Sequence, residues 1–194
     1  MTGPPGSGKT TALLRTVERL RSAGFTVGGM VTREVREGSA SADGSIGAGA
    51  RVGFEVVDLH SGISGWLARA GAPQPGPKVG RYYVDLESFE SVAVPAITHA
   101  VESCDIVAID EVGPMELLSR GFRSAVQRAI ESGKPLIATV HWRSKDPLVT
   151  RLKSGCPGES EIFEVTPESR DVLPDLIARK AAQCLRQKGT AISG

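Results

Sequence analysis

Cysteine is scarce in this chain: Cys104, Cys156 and Cys184 are the whole complement of 194 residues, odd in number and far apart. With only three histidines, also scattered, this excludes a disulfide framework and a cysteine–histidine zinc site, and it points to a reducing compartment. Surplus charge is missing too. The 23 Lys and Arg nearly cancel the 22 Asp and Glu, and a net charge of +1 gives no field to hold a polyanion, so no nucleic-acid partner is evident. No apolar run approaches the roughly 20 residues needed to cross a bilayer, and no charged start leads into an apolar signal segment. A cytoplasmic monomer with no membrane partner is expected. Aromatics make up only 5% of the chain, whereas Gly (23) and Pro (12) are plentiful, so many turns are expected. The length suits one domain over 1–194, since single domains usually run to about 100–200 residues.

Periodicity supplies the elements. Leu13, Leu14, Val17 and Leu20 recur at three- and four-residue steps opposite Arg15, Glu18, Arg19 and Arg21, which predicts a helix from Thr10 that ends at Gly24. Phe25–Val35 and Val52–Leu59 read as two strands that can pair as a hairpin, and Ser39–Ala50, almost without apolar residues, reads as a flexible loop or insertion. Gly71–Lys78, with its three prolines, reads as a loop leading to a short strand at Tyr82–Val84. Val94, Ile97 and Val101 mark a helix; Ile106–Ile109 a strand covered on both faces; Phe122, Val126 and Ile130 a helix that stops at Gly133. Pro135–Val140 and Ile162–Val165 complete the strands, and Leu173, Leu176, Ile177, Ala181 and Leu185 mark a last helix. Strands alternating with helices predict an α/β fold with a mostly parallel sheet and helices on both faces.

The chemistry begins at Gly3-Pro4-Pro5-Gly6-Ser7-Gly8-Lys9-Thr10, which has the spacing of a phosphate-binding loop and opens into the first helix, with Thr11 next in line. Glycines let backbone amides turn inward around a phosphate, and the helix N-terminus adds partial positive charge. In such loops the lysine, here Lys9, reaches the β and γ phosphates, and the hydroxyl, here Thr10, ligates Mg²⁺. A Gly-Pro turn capping an ordinary helix is the plainer explanation of the same residues.

The apolar run before Asp110-Glu111 places an acid at the C-terminal end of a buried strand, where open α/β sheets bind ligands. Asp110 is placed to hold the Mg²⁺ shell, and Glu111, pointing elsewhere, to polarise the attacking water as general base. At the end of the neighbouring strand, His141 or Thr139 can sense the γ-phosphate or the water; a histidine bonded to local backbone explains His141 equally well. Arg33 or Arg36 can act as an internal arginine finger, against the plainer reading of a charged strand end. Arg170 can stack on a nucleobase or cap the helix that follows. An Asn-Lys-x-Asp guanine reader is missing, which argues against strict selectivity for GTP.

The phosphate loop, Thr32–Glu37 with Arg51-Val52-Gly53-Phe54, Val79-Gly80-Arg81-Tyr82, and above all Asp110-Glu111-Val112-Gly113-Pro114-Met115-Glu116-Leu117 with Thr139-Val140-His141 resemble the cancer-related nucleoside-triphosphatases. These are small P-loop proteins of archaea, bacteria and animals. The resemblance implies Mg²⁺-dependent hydrolysis of several nucleoside triphosphates, ATP and GTP among them, on a RecA-like P-loop NTPase fold of the additional-strand type. It carries Lys9 and Thr10 over as phosphate and metal residues, Asp110 as a metal residue and Glu111 as the catalytic base, and leaves Glu116 without a role. Two other readings stay open: a small-molecule or nucleotide kinase, with Arg143, Lys145, Arg151 and Lys153 as a sparse lid, and a nucleotide-gated binding module with slow hydrolysis. One departure stands out. Only Met1 and Thr2 precede Gly3, so the buried strand that normally leads into a phosphate loop is expected to be missing, leaving unpaired amides in the sheet and a protein that binds nucleotide poorly.

Overall fold

Leu13, Val17 and Leu20 are almost wholly buried along one side of α1 (Lys9–Ser22), the helix their spacing predicts, in the computed structural model, which describes residues 1–37, 49–71, 75–154 and 160–191. The chain then runs through β1 (Val27–Arg36), β2 (Arg51–Asp58), β3 (Ser64–Ala70), β4 (Lys78–Val79), β5 (Tyr82–Val84), α2 (Leu86–Ser103) and β6 (Ile106–Val112). A 3₁₀ turn (Glu116–Leu118), α3 (Arg120–Glu131), β7 (Leu136–Val140), α4 (Pro147–Ser154) and α5 (Leu173–Ala191) follow. The loop expected over Ser39–Ala50 falls mostly outside the described residues, as do residues 72–74 of the proline-rich one.

The strands form one seven-stranded sheet in the order β4-β5-β3-β2-β1-β6-β7. The expected helices on both faces are present, but the expectation of a mostly parallel sheet needs correcting. Only β1–β6 and β6–β7 pair in parallel; β1–β2, β2–β3, β3–β5 and β4–β5 are antiparallel. For β2 and β3 connection length is the reason. A parallel return needs a crossover of about a dozen residues or more, whereas β2 and β3 are joined by the tight turn after Asp58, whose carboxylate accepts hydrogen bonds from His60 N and Ser61 Oγ at 2.9 and 2.6 Å.

The strand expected to be missing is replaced by a stub. Met1 N donates to Ala138 O at 2.6 Å and Val140 N donates to Met1 O at 2.9 Å, while Thr2 N donates to Phe163 O at 2.9 Å and Val165 N to Thr2 O at 2.8 Å. Two residues therefore fill the slot between β7 and residues 163–165, and amides expected to be orphaned on either side are paired. The last strand expected at Ile162–Val165 reduces to a single parallel bridge between Glu164 and Thr2.

Each face of the sheet has its own apolar layer. Phe89 and Ile97 of α2, Phe122 and Val126 of α3 and Val149 of α4 pack with Met30, Val56, Val107 and Ile109 on one side. Leu13, Val17 and Leu20 of α1 and Ile177 and Ala181 of α5 pack with Val27, Ile106 and Ala108 on the other. Each Leu, Ile, Val, Phe or Met among them stabilises the fold by about 1.5–3 kcal/mol. The alternation along β6 also aims the site: Ile106 and Ala108 face α1, so Asp110, two residues on, faces the start of α1.

Candidate active site

The loop before α1 is built from its glycines. Gly6 (φ 77°) and Gly8 (φ 94°) lie in the left-handed region, where a side chain is strained, and Gly8 is the residue from which α1 starts. Gly3 needs room instead: a Cβ there would stand 2.6 Å from Val165 O and 2.8 Å from Ser7 Oγ. Ser7 N closes the turn on Pro4 O at 3.2 Å, Ala12 N takes Gly8 O at 2.8 Å, and Pro4, Pro5 and Gly6 are exposed on the outside of the loop.

The structure brings Lys9, Thr10, Asp110 and Glu111 together. Lys9 Nζ donates to Gly3 O (3.2 Å) and Pro4 O (3.4 Å), folding back across the loop, and lies 3.8 Å from Glu111 Oε2. Thr10 Oγ1 donates to Asp110 Oδ2 at 2.7 Å, and the buried Thr139 hydroxyl donates to Asp110 Oδ1. Of the two candidates at the tip of β7, Thr139 is thus tied to Asp110. His141 is joined to the acid strand through its backbone, its N–H donating to Val112 O at 3.2 Å.

Electrostatics follow from burial. Asp110 is 1% exposed, and desolvation pushes its carboxyl upward against the two hydroxyl donors, Lys9 and the N-terminal ammonium, which favour the charged form. Glu111 is raised for the same reason, with Lys9 opposing and Asp110 reinforcing. His141 is held below its usual range by burial and by Lys9, Lys153 and Arg143, so its ring is neutral at pH 7. Its Nδ1 and the Ser7 hydroxyl are buried without hydrogen-bond partners among the described residues.

Other candidates fall into place or out of it. Arg170 stands beside the loop: its Cδ would be 3.5 Å from a Gly8 Cβ, and it lines a cleft of about 270 Å³ with Gly8, Thr11, Ala12, Arg15 and Asp171. Arg33 sits two residues past Val31, the partner of Asp110 across the sheet, and its guanidinium pairs with Glu55 at 2.8 Å; Arg36 pairs with Glu34 at 2.9 Å. Three of the four lid cations are likewise engaged. Lys153 donates to His141 O (3.2 Å) and Trp142 O (2.8 Å), Arg151 lies 3.6 Å from Glu131, and Arg143 stacks over the Trp142 ring at 4.6 Å. Sequence reasoning missed the burial of Glu116, 6% exposed beside the acid pair, because a single acid among apolar residues carries no periodic signal.

The only metal-suited donors brought together here are oxygens. Among the described residues no group of three or more His, Cys, Asp or Glu could hold an ion. A hydroxyl and one carboxylate in contact instead fit a hard cation that takes most of its ligands from water and phosphate.

The family described as NTPase matches residues 1–178 of this sequence. The chain belongs to that family. It is 46% identical over 183 residues to nucleoside-triphosphatase THEP1 of Thermofilum pendens, covering 94% of this chain and 93% of the relative. To the protein of the same name from Methanopyrus kandleri it is 43% identical over 188 residues, 97% of each chain. The crystal structure of THEP1 from the hyperthermophile Aquifex aeolicus superposes with a TM-score of 0.74 at 31% identity, covering 91% of this chain and 94% of that one. The architecture is therefore the P-loop NTPase fold, and the family membership expected from the acid-Gly-Pro-Met-Glu block holds.

Proposed function

We propose that this NTPase hydrolyses nucleoside triphosphates to diphosphate and phosphate, with Mg²⁺ held by Thr10 and Asp110. The observation that carries the reading is the meeting of loop and acid pair: Lys9 within 3.8 Å of Glu111, and Thr10 within 2.7 Å of Asp110. When bound, Mg²⁺ neutralises charge on the β and γ phosphate oxygens. The protein supplies the rest. The backbone amides of residues 3–8 and the start of α1 cradle the phosphates, with the Ser7 hydroxyl as a further donor, and Lys9 swings from its carbonyl partners to the γ-phosphate. Glu111 orients the attacking water and takes its proton, and the neutral His141 ring, with Nδ1 unpartnered, offers a hydrogen bond to that water or the γ-phosphate. Arg170, in the cleft it shares with Thr11, Arg15 and Asp171, offers the face of its guanidinium to the base and discriminates little between bases.

The names carried by the relatives agree with hydrolysis, and with three of the four lid cations engaged a kinase reading gains no support. The test is phosphate release across a panel of nucleoside triphosphates. Rates should be similar for all bases and need Mg²⁺, and Glu111→Gln should lower kcat by about 10²–10⁴-fold while keeping nucleotide affinity. Full turnover in Glu111→Gln would overturn the reading.

A further inference from the structure

The established family features leave one buried acid unexplained. Glu116 is 6% exposed and makes no ion pair among the described residues. An acid without an ion pair is costly to bury, and the Glu116 and Gly113 N–H groups that bond its carboxyl offset that cost only in part, so packing alone does not account for it. Its surroundings do. From the 3₁₀ turn its carboxyl folds back over Gly113, with Oε2 standing 2.9 Å from where a Gly113 Cβ would be; Glu111 Oε1 stands 3.4 Å from the same point. Gly113 shows no positive φ, so its lack of a side chain serves space alone. Glu111 is thus flanked on two sides, its Oε2 toward Lys9 and its Oε1 toward the glycine that Glu116 covers.

We propose that Glu116 is a positioning residue for hydrolysis, its buried carboxyl setting the orientation of Glu111 across Gly113, and that residue 113 is glycine because the Glu116 carboxyl occupies the room a side chain would take. This rests on Glu111 being the base. The frame is stiff: Val112 O is held by His141 N at 3.2 Å, Gly113 O by Leu117 N at 3.0 Å and Glu116 O by Ser119 N at 3.1 Å, so a carboxyl placed by this turn is placed firmly. Burial, with Glu111 and Asp110 adding to it, pushes Glu116 up to about 8, against the Glu116 and Gly113 N–H groups that favour its charge. That rise favours the protonated, neutral carboxyl, whose shape Gln copies.

The experiment is steady-state hydrolysis of Mg·ATP by the full chain with Glu116→Leu, Glu116→Gln, Gly113→Ala and Glu111→Gln, alongside the affinity for a non-hydrolysable ATP analogue and the melting temperature. Glu116→Leu and Gly113→Ala should each lower kcat by about 10–100-fold, the cost of a displaced catalytic group, with KM and analogue affinity within about twofold. Glu116→Gln, which keeps shape and donor, should recover most of what Glu116→Leu loses. Unchanged kcat in both Glu116→Leu and Gly113→Ala, with Glu111→Gln inactive, would overturn this inference and leave the base assignment standing. Full activity in Glu111→Gln would remove both. Loss of kcat together with analogue affinity and melting temperature would assign Glu116 a merely structural role and also overturn the inference. Should Glu116→Leu fail to fold, Gly113→Ala decides alone.

Discussion

Replacing Glu116 by Gln should change how stability depends on pH, by an amount the structure sets. The folded carboxyl is raised from 4.5 to about 8, so the folded state binds the proton more tightly than the unfolded chain. Stability from this group is complete below about pH 4.5 and is lost as pH rises toward 8. Between those limits the loss is about 1.4 kcal/mol per pH unit, or about 2.5 kcal/mol from pH 5 to 7. Gln does not titrate, so its stability curve lacks this slope. The Met1 amino group, lowered by burial to about 6, works the other way between pH 6 and 8, but both proteins share it and it cancels in the difference. Urea unfolding of the two proteins at pH 5, 6, 7 and 8, without nucleotide or Mg²⁺, measures that difference directly. The gap in favour of Glu116→Gln should widen steadily, by about 2.5 kcal/mol between pH 5 and 7. Parallel curves would refute the argument, because an exposed Glu116 would titrate alike in both states.

Gly8→Ala forces a side chain into a φ of 94°, which should cost about 1–2 kcal/mol and lower Tm without nucleotide by about 2–8 °C in thermal melts. Thr139→Val keeps the shape but removes a buried donor from Asp110, so chemical denaturation should show a loss of about 1–3 kcal/mol and weaker Mg²⁺ dependence of turnover. Phe122→Ala opens a cavity against Phe89, whose ring centre is 5.3 Å away, and should cost about 3–5 kcal/mol by the same assay without altering KM in the fraction that stays folded.

What the sequence made legible was what local rules decide. The spacing of Leu13, Val17 and Leu20 gave α1, the apolar run before Asp110 gave β6, and the fixed loop spacing gave Lys9 and Thr10, because each signal lies within one element. β3 was not legible: in Ser64–Ala70, Gly65 and Arg69 break the alternation, and the strand exists because β2 and β5 pair with it on both sides. The eight-residue α4 was read only as lid cations, yet Leu148 and Val149 bury its inner side. The pairing of Thr139 with Asp110 depends on the register of β7 against β6, and the stub at Met1 and Thr2 on hydrogen bonds to residues more than a hundred positions away; composition records neither. The arginine-finger idea met the same limit, since Arg33 finds Glu55 on the next strand, which distance along the chain does not reveal.

The division of the sheet explains why the chemistry collects at one end of it. Antiparallel neighbours end at opposite edges, so the wing from β2 to β5 can widen the sheet under α2 but cannot gather strand tips. β1, β6, β7 and the Met1–Thr2 stub run the same way, and the tips of β6 and β7 and the end of the stub meet the start of α1. At that edge the acid strand is joined to its neighbour by the hydrogen bond between Val112 and His141 and by the contact between Thr139 and Asp110, and to the loop by Thr10 and Lys9. A shift of either strand tip is therefore passed to the acid pair both through that backbone bond and through buried side-chain contacts.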